Sequence, residues 1–195
     1  MNCRALLTSS LALLLTACAS APKRSFSGPE EAAALILTAL DEGKGEEADG
    51  IYGDFSSSQV NEQALYPVLY EAARKRFEVG QPDSAADVLE LLVNRHPASV
   101  GSRESLIYAL FLQRALAGSA DPDANAKLSE AIVDLRESTT VASPQVDLAE
   151  TQLRIDQGRV DDARDAFARF LAGWDGQPTS LTLYVEDLNR YLQTH

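Results

Sequence analysis

Thiol and imidazole chemistry is almost missing from this chain: its 195 residues hold two cysteines and two histidines. With Cys3 and Cys18 the only thiols, a disulfide framework and a cysteine zinc site are both excluded. Cations are scarce too. The 17 Lys and Arg stand against 29 Asp and Glu, a net charge of −12. So acidic a chain lacks the clustered Lys and Arg that neutralise phosphates, which argues against a nucleic-acid partner. The apolar stretch over residues 5–16, built around Leu11, Leu13, Leu14 and Leu15, falls short of the roughly 20 residues a helix needs to cross a bilayer core. Hydrophobic residues are plentiful, at 45% of the chain, and exclude a wholly disordered protein. The length suits one domain, or one domain with a short appendage.

The start of the chain reads as an address. Arg4 supplies a basic flank and residues 5–16 an apolar centre, the pattern of an export signal that is removed. Leu15-Thr16-Ala17-Cys18 resembles the lipobox of bacterial lipoproteins. The resemblance implies a signal peptide over residues 1–17 and lipidation of Cys18 with three acyl chains. Ala19, where an aspartate would retain the protein in the inner membrane, implies the periplasmic face of the outer membrane. An ordinary signal peptide cut after Ala19-Ser20-Ala21 is the alternative. Two or more acyl chains make anchoring effectively permanent. Residues 18–28 then form a flexible tether, spanning at most about 33 Å when extended.

The remainder reads as a series of amphipathic helices, an all-α chain. Residues 29–60 are expected to form an N-terminal helix and an acidic loop. Pro29 opens the helix, Leu35, Ile36, Ala39 and Leu40 share its face, and it ends near Gly43. Residues 42–58 carry four glycines among many acids and read as a loop with a short helix, anchored by Ile51, Tyr52 and Phe55. From Asn61, a candidate cap, Leu65, Leu69, Ala72 and Ala73 make a helical stripe, within which Pro67 marks a kink or the first turn. Gly80 ends that helix, Pro82-Asp83 opens the next on Ala85, Leu89 and Leu92, and Pro97 stops it. Residues 104–117 are apolar on most sides and read as a buried helix. Leu128, Ile132 and Leu135 align behind Asp121-Pro122; further helices are expected over residues 146–157 and 161–174. Leu181, Val185, Leu188 and Leu192 mark a closing helix.

These helices come in pairs. Gly80, Gly118 and Gly158 each separate one helix from the next, 38 and 40 residues apart. At an offset of 78, Ala85 matches Ala163, Leu89 matches Phe167, Leu92 matches Phe170 and Val93 matches Leu171. Such self-similarity marks a helical-hairpin solenoid. Leu69, Ala72, Ala73, Gly80, Ala85, Leu89, Leu92 and Pro97 fall in one register that resembles the tetratricopeptide repeat (TPR) family. The last unit keeps Gly158, Ala163 and Phe167, with Pro178 late; the middle unit has a longer turn, and its Ala131 lies outside the register. The resemblance covers roughly residues 61–178 within a repeat domain of residues 61–195. It implies a short right-handed α-solenoid of antiparallel helix pairs, closed by a C-terminal helix. A generic α-helical bundle is the alternative. The family pattern places Tyr70, Arg74, Tyr108 and Gln152 on the inner surface as candidate partner-groove residues.

Catalytic signals are weak. Asp121-Pro122-Asp123-Ala124-Asn125 begins like a calcium loop, but Ala126 and Ile132 stand where that loop needs its sixth-place Gly and twelfth-place Glu. Gly43-Lys44-Gly45 lies among acids that repel phosphate. Asp161-Asp162 reads as a helix start, and His96 as a neighbour of a helix C-terminus. No cofactor, no metal and no nucleophile–base pair is expected. The expectation is a non-enzymatic scaffold or adaptor for an envelope protein partner, serving an assembly or secretion complex. A self-associating or cell-wall-binding structural protein is the first alternative, and an enzyme with a carboxylate-pair site the second.

Overall fold

Three glycines set the architecture. Gly43, Gly80 and Gly158 adopt left-handed φ values of 71°, 76° and 70°, a region that L side chains avoid. Each ends a helix with the same pair of backbone hydrogen bonds. Gly80 N–H donates to Phe77 O at 3.0 Å and Gln81 N–H to Arg76 O at 2.9 Å; Gly43 with Lys44, and Gly158 with Arg159, repeat the arrangement. In this computed structural model, residues 24–58, 62–117, 122–140, 143–177 and 181–195 are described. Among them every regular element is helical: α1 (Pro29–Asp41), α2 (Gly45–Ser58), a 3-10 turn (Glu62–Ala64), α3 (Leu65–Glu78), α4 (Pro82–Arg95), α5 (Val100–Ala117), α6 (Pro122–Ser138), α7 (Pro144–Asp156), α8 (Val160–Gly173) and α9 (Thr182–Thr194). Proline opens α1, α4, α6 and α7, where its missing N–H costs nothing. Among the described residues no helix is long and apolar enough to cross a membrane. The lipobox, Cys18, Asn61, Gly118, Asp121 and Pro178 lie outside the described residues.

Consecutive helices pack as the pairs α1–α2, α3–α4, α5–α6 and α7–α8, and α9 closes the array against α8. The three-residue turns at Gly43, Gly80 and Gly158 make their pairs antiparallel. One layer consists of α1, α3, α5 and α7, the other of α2, α4, α6 and α8. The fold is therefore an all-α solenoid of helix pairs, as the hairpin spacing predicts. The repeat begins earlier than expected. Residues 42–58 are not a loop with a short helix: α2 runs from Gly45 to Ser58. Its stripe of Ala48, Ile51, Tyr52 and Phe55 is buried. It matches Ala85, Val88, Leu89 and Leu92 of α4 at an offset of 37, and Ala163, Ala166, Phe167 and Phe170 of α8 a further 78 residues on. Burial of that face outweighs the roughly 1 kcal/mol that each interior glycine costs a helix. On α1, Ile36 and Ala39 face inward with Ala32 and Ala33, whereas Leu35 points outward at 43% exposure. Pro67 sits in the first turn of α3, not at a kink.

The core has two lobes that meet at α5. Leu106 and Ala109 belong to the first, with α1 to α4; Ile107 and Phe111 belong to the second, with α6 to α9. Leu110 packs against both. The buried character expected of this helix follows from its central place. Polar ties link helices within and between pairs: Arg76 donates to the Ser84 carbonyl of its own pair and to Asp41 of the pair before, both at 2.7 Å. Arg95 donates to Asp49 at 2.7 Å and lies 5.4 Å over the Tyr52 ring.

Two glycine substitutions are expected to move stability in opposite directions. Gly80→Ala forces a side chain into the left-handed region and should cost about 1–2 kcal/mol. Gly50→Ala lies mid-helix and exposed, with open space around its Cβ position, and should add about 0.5–1 kcal/mol. Urea titrations of the two variants against the parent chain measure both.

Candidate functional site

The layer of α1, α3, α5 and α7, the inner one on the repeat resemblance, is not packed shut. Between α3 and α5 the gap is bridged by long side chains. Tyr66 and Tyr70, one helical turn apart, stack at 5.9 Å with their planes 10° apart. Their hydroxyls reach α5 and the residue before it: Tyr66 meets Ser99 at 2.8 Å and the buried Ser102 at 2.5 Å, and Tyr70 meets Ser105 at 2.9 Å. These contacts hold α3 and α5 at a fixed separation, because a tyrosine is rigid and spans further than an aliphatic side chain. Where the bridge ends, a cavity of about 390 Å³ opens towards α7.

Aromatic side chains dominate its walls. Tyr70 and Phe77 come from α3, Tyr108 from α5, Phe170 from the end of α8, and Trp174 follows it. Phe77 lies 6.1 Å from Tyr108, Tyr108 lies 6.1 Å from Phe111, and Phe111 lies 5.8 Å from Tyr184 of α9. A file of rings therefore runs from α3 to α9. Trp174 stacks on Phe170 at 5.2 Å and is fixed by its indole N–H, which donates to Gln177 O at 3.0 Å. Burial pushes the Tyr108 phenol above its ordinary pKa, so it remains neutral at physiological pH. One lining residue is charged: Glu104 of α5, which has no ion pair among the described residues. The other cavities are more polar. One, of about 450 Å³, lies between α2 and α4 against Glu46, Asp49, Asp87 and Glu90.

The four groove candidates fall in different surroundings. Tyr70 and Tyr108 both line the cavity. Arg74 shares the helix face of Tyr70 and Phe77 but does not line the cavity; it is exposed and held by Glu71 at 2.6 Å and by Glu78. Gln152 is covered by α9: its carbonyl oxygen accepts from the Tyr184 hydroxyl at 2.5 Å, and its amide donates to Asp156 at 2.9 Å. Beside it Arg114 pairs with Asp156, both side chains largely buried. The last helix thus covers the α5–α7 end of the inner layer and leaves the α3–α5 end open. Phe77, Glu104 and Trp174 lie outside the four residues that the family pattern names. Phe77 is seven residues from Tyr70 and Glu104 is four from Tyr108, so helical periodicity offered a signal for both. No spacing along the chain brings Trp174 to α5.

Two carboxylate pairs, Asp161–Asp162 and Asp147–Glu150, are engaged by arginines, whereas burial and the neighbouring Glu90 push the Asp87 carboxyl up at the α2–α4 cavity. Asp161 and Asp162 occupy the exposed first turn of α8, paired with Arg164 and Arg159. The buried pair is Asp147 with Glu150 on α7, enclosed by arginines. Arg169 donates to Asp147 at 3.0 Å and to Glu150 at 2.9 Å, Arg154 donates to Glu150 at 3.0 Å, and Arg136 reaches both. Burial pushes the Glu150 carboxyl up, but the bond from Arg154 and the charges of Arg169 and Arg136 outweigh it and hold the group below the usual carboxylate range. A general acid needs the opposite shift. His96 shares a 2.6 Å hydrogen bond with the Tyr52 hydroxyl, at the C-terminus of α4. Among the described residues no three His, Cys, Asp or Glu side chains gather as a metal site.

The depressed Glu150 pKa gives a pH dependence with a definite sign. Its contribution to stability is full above the unfolded-state value of about 4.3 and is lost as pH falls through the lower folded value. Glu150→Gln should therefore reduce stability at pH 7 and flatten the decline towards pH 3, as acid titration followed by circular dichroism would measure.

Comparison with known proteins adds one likeness. No protein-family profile matches the chain, and no curated protein does. Among solved structures the chain is similar to a thermophilic TPR protein in Thermus thermophilus, at 16% sequence identity and a TM-score of 0.38, covering 83% of this chain and 98% of that one.

Proposed function

We propose that this chain is a non-enzymatic docking scaffold, tethered to the periplasmic face of the outer membrane through lipidated Cys18, that holds a segment of an envelope partner protein against its inner helix layer. The open aromatic cavity between α3, α5 and α7 carries the reading. Arrays of helix pairs bind other proteins along their inner surface, and rigid aromatic side chains in a pocket are residue types that anchor such contacts. The lipobox Leu15-Thr16-Ala17-Cys18 supports the anchor, and Ala19 supports the outer membrane. A tether reaching at most about 33 Å keeps the cavity close to the inner leaflet. The partner belongs to an assembly or secretion complex of the envelope.

Two experiments test the two halves of this reading. Pull-down from crosslinked envelopes should recover one envelope complex with the parent chain and lose it with the Tyr70→Ala/Tyr108→Ala double variant. Recovery of the same complex by both proteins would move the docking face elsewhere. Cys18→Ser should abolish acyl-chain labelling and release the protein from membranes. Retained labelling would refute the anchor.

A further inference from the structure

The wall chemistry of the α3–α5 cavity specifies what fits it. Its charge is a single carboxylate, Glu104, unpaired among the described residues and facing a space bounded by Tyr70, Phe77, Tyr108 and Trp174. A carboxylate beside apolar surface loses hydration when an occupant covers it, and the loss is repaid only by a paired cation. Aromatic faces carry negative quadrupole charge and attract cations, the flat guanidinium of arginine above all. An occupant that brings an acid instead meets Glu104 and ring faces of like sign. The whole chain points the same way, since a net charge of −12 steers basic partners towards it and repels acidic ones.

We propose that this cavity selects a basic side chain, arginine before lysine, presented by a partner-protein segment whose neighbouring residues are apolar: the cation pairs with Glu104, and the apolar neighbours cover Phe77, Tyr108 and Trp174. The inference rests on the reading of the inner layer as a docking face and adds the chemistry of the occupant. Tyr70 contributes its ring edge while its hydroxyl stays engaged with Ser105. The Arg74 side chain is engaged by Glu71 and Glu78 and does not line the cavity.

A twelve-residue random peptide library displayed on phage, panned against the full chain purified in detergent, tests this directly. Enriched peptides should carry arginine or lysine beside aliphatic or aromatic residues. Synthetic copies should bind about tenfold or more weakly to Glu104→Gln, a loss of one charge-assisted contact, and more weakly as salt rises. Glu104→Lys should reverse the preference and gain affinity for the same peptides with glutamate in place of the basic residue, a gain that misfolding cannot mimic. Peptides that lose binding on Tyr108→Ala, yet lack basic residues and ignore Glu104→Gln, would overturn the cation proposal and leave the docking face standing. Peptides indifferent to both substitutions would overturn the two together, and so would a library that yields no enriched binder.

Discussion

Asp147→Ala is expected to cost about 1–3 kcal/mol of stability. The carboxylate is 3% exposed and serves two arginines from two helices, Arg136 of α6 and Arg169 of α8. Removing it leaves both guanidinium groups facing each other around Glu150, which cannot neutralise Arg136, Arg154 and Arg169 alone. The two guanidinium groups are 32% and 49% exposed, so water takes up part of the lost pairing and the cost stays below that of a fully buried pair. An exposed pair provides the contrast. Asp187 and Arg190 on α9 are about three-quarters exposed, and Asp187→Ala should change stability by no more than about 0.5 kcal/mol. Guanidinium-chloride unfolding of the two variants measures the difference. Equal effects would show that the α6–α7–α8 cluster is solvated.

Phe111→Ala is expected to cost about 3–5 kcal/mol through a cavity in the second lobe. The ring is 1% exposed on α5, the helix shared by both lobes, and contacts Tyr108 on one side and Tyr184 on the other. Its loss also weakens the seat of α9, whose Tyr184 hydroxyl donates to Gln152. Hydrogen exchange should therefore accelerate in α9 more than in α1, which belongs to the other lobe. Phe111→Leu keeps most of the volume and should restore more than half of the loss. Leu35→Ala removes an equally apolar side chain that is 43% exposed and should fall within about 0.5 kcal/mol.

Much of the helix order is legible because local chemistry and tertiary packing agree. Pro82 opens and Gly80 closes where proline lacks a needed N–H least and glycine tolerates a positive φ. The acidic segment misleads because its glycines and acids lower every local helix signal, while its stripe of Ala48, Ile51, Tyr52 and Phe55 gains stability only once α1 and α4 cover it. The open cavity was half legible. Tyr70 and Tyr108 follow from the register of first helices. Gln152 shares that register, and α9 covers it because Tyr184 lies across the α5–α7 face, against both Phe111 and Gln152. Trp174 reaches the same cavity from the far end of α8, a juxtaposition that only the stacking of pairs creates.

The central claim is that the inner helix layer is where this protein meets its partner. A photoreactive amino acid in place of Tyr108, compared with one in place of the exposed Val133 of α6 in the outer layer, tests it in the native cell. Irradiation should attach one partner protein to the chain through position 108 and leave position 133 uncoupled. Coupling through position 133 with none through position 108 would contradict the account.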